Sequence, residues 1–302
     1  MSIVVCKLPK AGLGNQFFPL MKSLVFAHLN NLPLVVIGYH QFKIGPYLRK
    51  EKTKRKYSNY FIFQKNILGE WIDKWQLSRN KHFKIEREPF LEHIKLKEAD
   101  HKLFEYKAIP HWEDYYTQLK DHRDLVIDLF WKQIREDIRK DVDKQKSPYI
   151  GIHIRMGDFR KLNEGEDFSN TGTVRTPEKY FINIIKNIRK IHGTSLPVSV
   201  FTDGYKHEFE ELFLLDNVNI VEGNTDIVDM LLLSKSKIIV CSAGSTFSYW
   251  AGFLANAPLI LHPDHIHQPI RPDEVNNSFY EGGWDNNNPI LINNISDIPK
   301  CK

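Results

Sequence analysis

Apolar and polar positions along this chain fall into two periods. Short runs rich in Val and Ile, at 3–8, 34–37, 149–155, 198–202, 237–241 and 258–261, read as strands. Between them, apolar residues recur every three or four positions, as helices require. The first unit is strand 3–8, a turn at Ala11-Gly12-Leu13-Gly14, and a helix over 15–30 carrying Phe17, Leu20, Met21, Leu24, Val25 and Leu29. Pro33 ends it before strand 34–37. From Asp124 to Val142 one stripe (Leu125, Val126, Leu129, Phe130, Ile134, Ile138) predicts a single helix. Thr176-Pro177-Glu178-Lys179 predicts a helix start with Thr176 as N-cap and Pro177 at the first position, and Gly193 its end. Further helices are expected from Asp226 and from Ser245. Residues 42–110 show no clean period and predict helices and loops of an insertion.

Strands alternating with helices imply parallel sheets. The polar break at 143–148 divides the chain into two α/β domains, 1–146 and 147–302, facing across a cleft. The 302 residues suffice for two cores.

Composition narrows the class. Hydrophobic content of 42% and charged content of 26% suit a soluble globular protein. No apolar stretch is long enough to span a bilayer, and the apolar part of the N-terminus is too short for a signal peptide. Cys6, Cys241 and Cys301 are odd in number and form no Cys-x-x-Cys pair. That argues for a reducing, cytoplasmic setting and against a disulfide framework. Part of the net charge of +5 sits in Arg49, Lys50, Lys52, Lys54, Arg55 and Lys56. This stretch reads either as a solvated segment or as a patch drawn to the anionic inner face of a membrane. No nucleic-acid-binding pattern appears.

Three strand-end loops of the second half carry polar chemistry. In His153-Ile154-Arg155-Met156-Gly157-Asp158-Phe159, His153 and Arg155 share the strand face opposite Ile150, Ile152 and Ile154. Such a pair at the end of an apolar strand is either a phosphate site or a structural pair satisfied by backbone or carboxylate. Thr202-Asp203-Gly204 offers a carboxylate to a base or ribose, or is only a turn. In Ser242-Ala243-Gly244-Ser245-Thr246-Phe247-Ser248-Tyr249-Trp250, small residues allow close backbone approach. Ser245 or Thr246 stands at a helix N-terminus suited to phosphate, or Ser245 is a simple N-cap. Trp250 and Phe253 read as core.

The Gly12-Leu13-Gly14-Asn15-Gln16-Phe17 turn matches a dinucleotide fingerprint only in part. Phe17 replaces its third glycine, and strand 34–37 ends without an acid, so NAD is rejected. Gly12, Gly14, Asn15 and Gln16 are left as a backbone-lined turn facing the cleft. His262, His265 and His267 beside Asp264 form an irregular loop in which a metal is not expected.

Taken together and in order, the Gly12–Phe17, His153–Phe159 and Ser245–Trp250 motifs resemble the bacterial α-1,2-fucosyltransferases of glycosyltransferase family eleven. That family lies within the α-1,2/α-1,6/protein O-fucosyltransferase superfamily. The resemblance implies a GT-B fold with two Rossmann-like domains, the first binding largely acceptor and the second largely GDP-fucose. It implies inverting transfer of L-fucose from GDP-β-L-fucose to a glycan hydroxyl, through an α-1,2 linkage in surface polysaccharide or lipid-linked oligosaccharide, without a metal or other cofactor. Arg155 would bind the β-phosphate, supported by His153. Asp203 would lie near guanine or ribose, and Ser245, Thr246 and Phe247 would contact the donor. Asp158 is the motif's candidate base, with Glu164, Glu166 and Asp167 as rivals. Met156 stands where a basic residue is common, and Tyr249 where a Trp is. These departures keep open the linkage, the acceptor and another nucleotide sugar. A non-catalytic glycan- or nucleotide-binding protein on the same scaffold is the remaining alternative, and the intact His153, Arg155 and Asp158 argue against it.

Overall fold

The computed structural model describes residues 2–52, 54–79, 82–97, 100–170, 173–265 and 268–300. The strands are β1 (Ile3–Lys7), β2 (Leu34–Ile37), β3 (Lys84–Arg87), β4 (Lys102–Tyr106), β5 (Ile150–Ile154), β6 (Val198–Thr202), β7 (Val218–Ile220), β8 (Ile238–Val240), β9 (Leu259–Ile260) and β10 (Glu281–Gly282). The α-helices are α1 (Leu13–Leu29), α2 (Gly45–Leu48), α3 (Ile67–Arg79), α4 (Arg123–Gln133), α5 (Glu136–Asp143), α6 (Glu178–His192), α7 (Asp226–Ser234), α8 (Thr246–Leu254), α9 (Asp273–Asn276) and α10 (Pro289–Ser296). They form two compact units. One comprises residues 1–42 and 56–139, the other 43–55 and 140–302.

The first unit holds a four-stranded parallel sheet in the order β2-β1-β4-β3. Helix α1 is buried along most of its length and fixed by aromatic edges, Phe17 on Phe130 of α4 and Phe26 on Phe104 of β4. Region 42–110, expected as insertion helices and loops, therefore supplies an inner strand, β4, and its edge partner β3. Glu105 interrupts the apolar run of β4, which is why no clean period shows there. Its carboxylate is buried and ringed by Lys7, Arg87 and Lys107.

The single helix expected over 124–142 is two. Ile134 turns extended (ψ 133°), so that Gln133 and Arg135 pair their backbones with Ile62 and Tyr60 around a bridge between Ile134 and Phe61. Bridging to that segment replaces the helical hydrogen bonds which the apolar period had favoured.

Helix α3 turns its acids inward and its apolar side chains outward. Glu70 accepts the N–H groups of Gly38, Tyr39 and His40 and pairs with Lys74; Asp73 pairs with Lys65. Leu68, Trp71, Ile72 and Trp75 are exposed, with Arg79 lying over the Trp75 ring.

The second unit is a six-stranded parallel sheet, β10-β9-β8-β5-β6-β7. Strand β5 is central, and Ile150, Ile152 and Ile154 bury their shared face against Phe181, Ile184, Ile185 and Ile188 of α6 and Leu291 and Ile295 of α10. Its other face meets α7: a Cβ on Gly151 would strike Ser236 and Leu233. Gly193 ends α6 in the left-handed region (φ 77°), as expected. The start of α6 differs: Glu178 is its first residue and Pro177 occupies the N-cap position. The Thr176 hydroxyl accepts the Ala243 N–H at 2.9 Å and so joins the loop after β8.

Candidate active site

Strand β5 delivers His153 and Arg155 to its carboxyl end, where ligands bind in open α/β sheets. His153 is buried, its ring stacked on Phe247 at 4.7 Å and its Nδ1 3.2 Å from Ser245 Oγ. Burial pushes the imidazole down to about 3, with Arg155 adding to and Asp203 opposing the shift. The ring is therefore neutral at pH 7, and positive charge rests on the arginines. The Ser245 hydroxyl faces His153 and makes no cap hydrogen bond to α8, so the simple N-cap reading does not hold. Thr246 opens α8 and is half-buried beside Phe247, while Trp250 and Phe253 pack in the core.

Ser242, which the sequence reading gave no role of its own, locks the two loops. Its hydroxyl donates to His153 C=O at 2.7 Å and accepts from Arg155 N–H at 2.9 Å. The Arg155 guanidinium bonds Asp203 and Asp158. Asp203 also accepts the N–H groups of Met156 at 2.8 Å and Gly157 at 3.2 Å. Its carboxylate, expected near guanine or ribose, is committed to the turn and to Arg155. Gly157 has no side chain because a Cβ there would strike Asp203 and come within 3.1 Å of Arg55 Nη2.

Asp158 meets two guanidinium groups, Arg155 and Arg55. Burial alone would raise its pKa, but the two arginines overcome this and hold it at about 2. Its rivals are spread along the next loop. Glu166 forks onto Arg160 at 2.7 and 2.8 Å, which with the Asn163 N–H holds it at about 2. Glu164 is exposed, and Asp167 accepts the Ser169 N–H.

The basic stretch at 49–56 is partly folded into this unit. Arg55 is buried against Asp158 and Glu51, Lys52 pairs with Glu222 at 3.0 Å, and Lys54 reaches Glu51 C=O. Near this cluster, burial first and Asp203 next push Asp226, at the start of α7, up to about 6, against Arg155, Arg55 and Lys43. Asp229, one turn on, is pushed to about 7 by burial. Sequence had marked Asp226 only as a helix start. A charged first turn is ordinary, and nothing in its spacing signals Arg155.

The Gly12–Gln16 turn belongs to the first unit. Gly12 precedes α1 without a side-chain cap, and Gly14 lies in the first turn. Gln16 donates to Pro9 C=O at 2.9 Å, and the Asn15 Oδ1 is buried with no hydrogen-bond partner among the described residues. In the second unit His262 packs on Phe168 and Tyr180 and His265 on Phe168; His267 and Cys301 lie outside the described residues. Among the described residues no helix is long and apolar enough to cross a membrane.

The glycosyl transferase family 11 model matches residues 13–263. An alpha-1,2-colitosyltransferase of Escherichia coli is 27% identical over 277 residues, which cover 86% of this chain and 90% of that protein. Among solved structures, the fucosyltransferase NodZ from Bradyrhizobium aligns with TM-score 0.53 at 16% identity, over 89% of this chain and 100% of its own. POFUT1 in complex with GDP aligns with TM-score 0.50 at 13% identity, over 86% and 98%. At such identities these two likenesses speak for the fold. The family match begins in α1 and runs past β9, through both sheets, so the chain belongs to glycosyl transferase family 11 and is a glycosyltransferase with an α/β fold of the GT-B class.

Proposed function

We propose that this glycosyltransferase moves L-fucose from GDP-β-L-fucose to a glycan hydroxyl with inversion, forming an α-1,2 linkage. The observation that carries the reading is Arg155, a guanidinium at the end of the central strand whose turn is fixed by Ser242 and Asp203. A departing nucleoside diphosphate develops negative charge, and a fixed guanidinium stabilises that charge without reorganising. Neutral His153, Ser245, Thr246 and Phe247 would line the same end of the sheet as uncharged contacts. Asp158 suits a positioning role better than that of a base, because a carboxylate held near 2 takes protons poorly at pH 7. The second unit would bind the donor and the Gly12–Gln16 turn of the first would face the acceptor. The likeness to a NodZ structure co-crystallized with GDP (TM-score 0.51) agrees with a guanosine diphosphate donor.

A second donor is favoured by one finding, the relative named for colitose transfer. Colitose is fucose without its 3-hydroxyl. A site built to hydrogen-bond that hydroxyl rejects the deoxy sugar strongly, whereas one that ignores it accepts both. Transfer assays with GDP-fucose, GDP-colitose, GDP-mannose and UDP-galactose decide between them. Preference for GDP-fucose is expected, and turnover of the UDP-sugar alone would sink the guanosine reading. Arg155→Ala should lower transfer by about 10²- to 10³-fold with the fold intact by circular dichroism. Full activity in that variant would remove Arg155 from the mechanism.

A further inference from the structure

Two guanidinium groups converge on Asp158, and only one of them comes from the strand-end motif. Arg55 lies 103 positions earlier in the chain. Its Nη1 donates to Asp158 Oδ2 at 3.2 Å and its Nη2 lies 3.1 Å from Oδ1, the oxygen that Arg155 also holds. The third edge of Arg55 faces an ion-pair partner, with Nε 2.8 Å from Glu51 Oε2, and Glu51 itself is hydrogen-bonded by Arg49 at 2.7 Å. Charges therefore alternate in a row: Arg49, Glu51, Arg55, Asp158, Arg155, Asp203. Arg55 and Glu51 are both under a tenth exposed, while the Asp158 side chain is 36% exposed. Two carboxylates of the row are each shared by two arginines, and of these Glu51 is buried while Asp158 is the one that a solute can reach.

Backbone geometry supports a purpose-built arm. Lys50 and Arg55 both take left-handed conformations (φ 52° and 51°), which cost non-glycine residues free energy and are kept where structure demands them. Meanwhile Met156, next to Arg155 in the turn, is buried in the core beneath Gly204 and brings no charge. A dianionic diphosphate held by a single arginine would be under-neutralised in a half-buried loop.

We propose that Arg55, carried on the 43–55 excursion, is the second guanidinium of the diphosphate site, and that Asp158 is the internal anion which holds both arginines in place until the diphosphate takes them over. This rests on the nucleoside-diphosphate reading above. The Asp158 carboxylate stands where phosphate oxygens would stand, bridging the same two forks.

The test is calorimetric titration of the full-length chain with GDP and with GMP. Arg55→Gln should weaken GDP binding by about 10- to 100-fold and GMP binding far less, shrinking the preference for the diphosphate. Arg55→Lys, which keeps the charge but loses the fork, should fall between. Asp158→Asn should tighten GDP binding, because it removes the competing carboxylate while leaving both arginines. A merely structural Arg55 would weaken both nucleotides equally, and that result overturns the proposal. So does weaker GDP binding in Asp158→Asn, which decides the matter even if Arg55→Gln fails to fold. Arg155→Ala separates the two levels. Loss of GDP binding there with none in Arg55→Gln would keep the donor reading and reject Arg55; a folded wild type that binds neither nucleotide would reject the donor reading itself.

Discussion

Gly151 measures how little room β5 leaves on the face that carries the site. A methyl group there would strike Ser236 and sit 2.8 Å from Leu233 Cδ1, in a part of the sheet whose neighbours are wholly buried. Gly151→Ala should destabilise the second unit by about 1–3 kcal/mol through overpacking, read as a lower denaturant midpoint with an unchanged slope. An unchanged midpoint would mean that Leu233 and Ser236 yield freely. At this scale the strand's alternation was fully legible: Ile150, Ile152 and Ile154 face one way, Gly151 and His153 the other. The charge on His153 was not. Pattern placed an imidazole beside an arginine, but only the burial and the Phe247 stack reveal that it stays neutral. Ser242 was equally hidden, because a serine among small residues gives no sign that its hydroxyl bonds two backbone groups of another loop.

Among the elements, α3 makes the sharpest physical demand. Glu70 is buried, which by itself raises its pKa, yet Lys74 and the N–H groups of Gly38 and His40 outweigh burial and leave it below the ordinary value of 4.5. A depressed carboxylate pKa contributes stability that is complete above the unfolded value and is lost as pH falls through the folded one. The tie between α3 and the end of β2 should therefore hold at pH 7 and weaken once pH drops below about 4.5. Glu70→Gln should cost about 1–3 kcal/mol at pH 7, since an amide leaves an N–H facing N–H donors. It should also flatten the acid limb of a stability-against-pH curve. Parallel acid limbs in variant and wild type would assign the acid sensitivity elsewhere. Sequence could not anticipate α3, because its buried face is the charged one and its exposed face holds Trp71 and Trp75. Where burial follows apolarity, as in α1, β2 and α6, reading by period placed the elements within two residues. Where a buried charge is neutralised by partners distant in sequence, as in β4, it did not.

For the molecule as a whole, two parallel-sheet units were readable from the alternation of strands and helices, whereas the path of the chain between them was not. A run of six basic residues looks the same whether solvated, membrane-bound or folded inward. The ion pairs of Arg55 with Asp158 and of Lys52 with Glu222 show that 43–55 packs with residues 140–302. Ligand binding stabilises the structure that carries the site, by about 2.7 kcal/mol at a hundredfold excess over Kd. Amide exchange with and without GDP should therefore gain protection in 43–55 together with 153–158 and 242–247, and little in 67–79 or 84–106. Protection of 153–158 without 43–55 would show that the excursion is not part of the ligand-bearing unit.

The same excursion sets a rule for how this protein is made and remade. During synthesis, Arg49, Glu51 and Arg55 leave the ribosome about a hundred residues before β5 exists to receive them, so the second unit closes only after its own C-terminal part is complete. An engineer exchanging one unit between relatives meets that dependence again. A crossover placed in the polar break near residue 146 would import a foreign 43–55 arm along with the foreign first unit. A chimera meant to keep the second unit whole has to be cut three times, leaving that short piece with the residues it packs against.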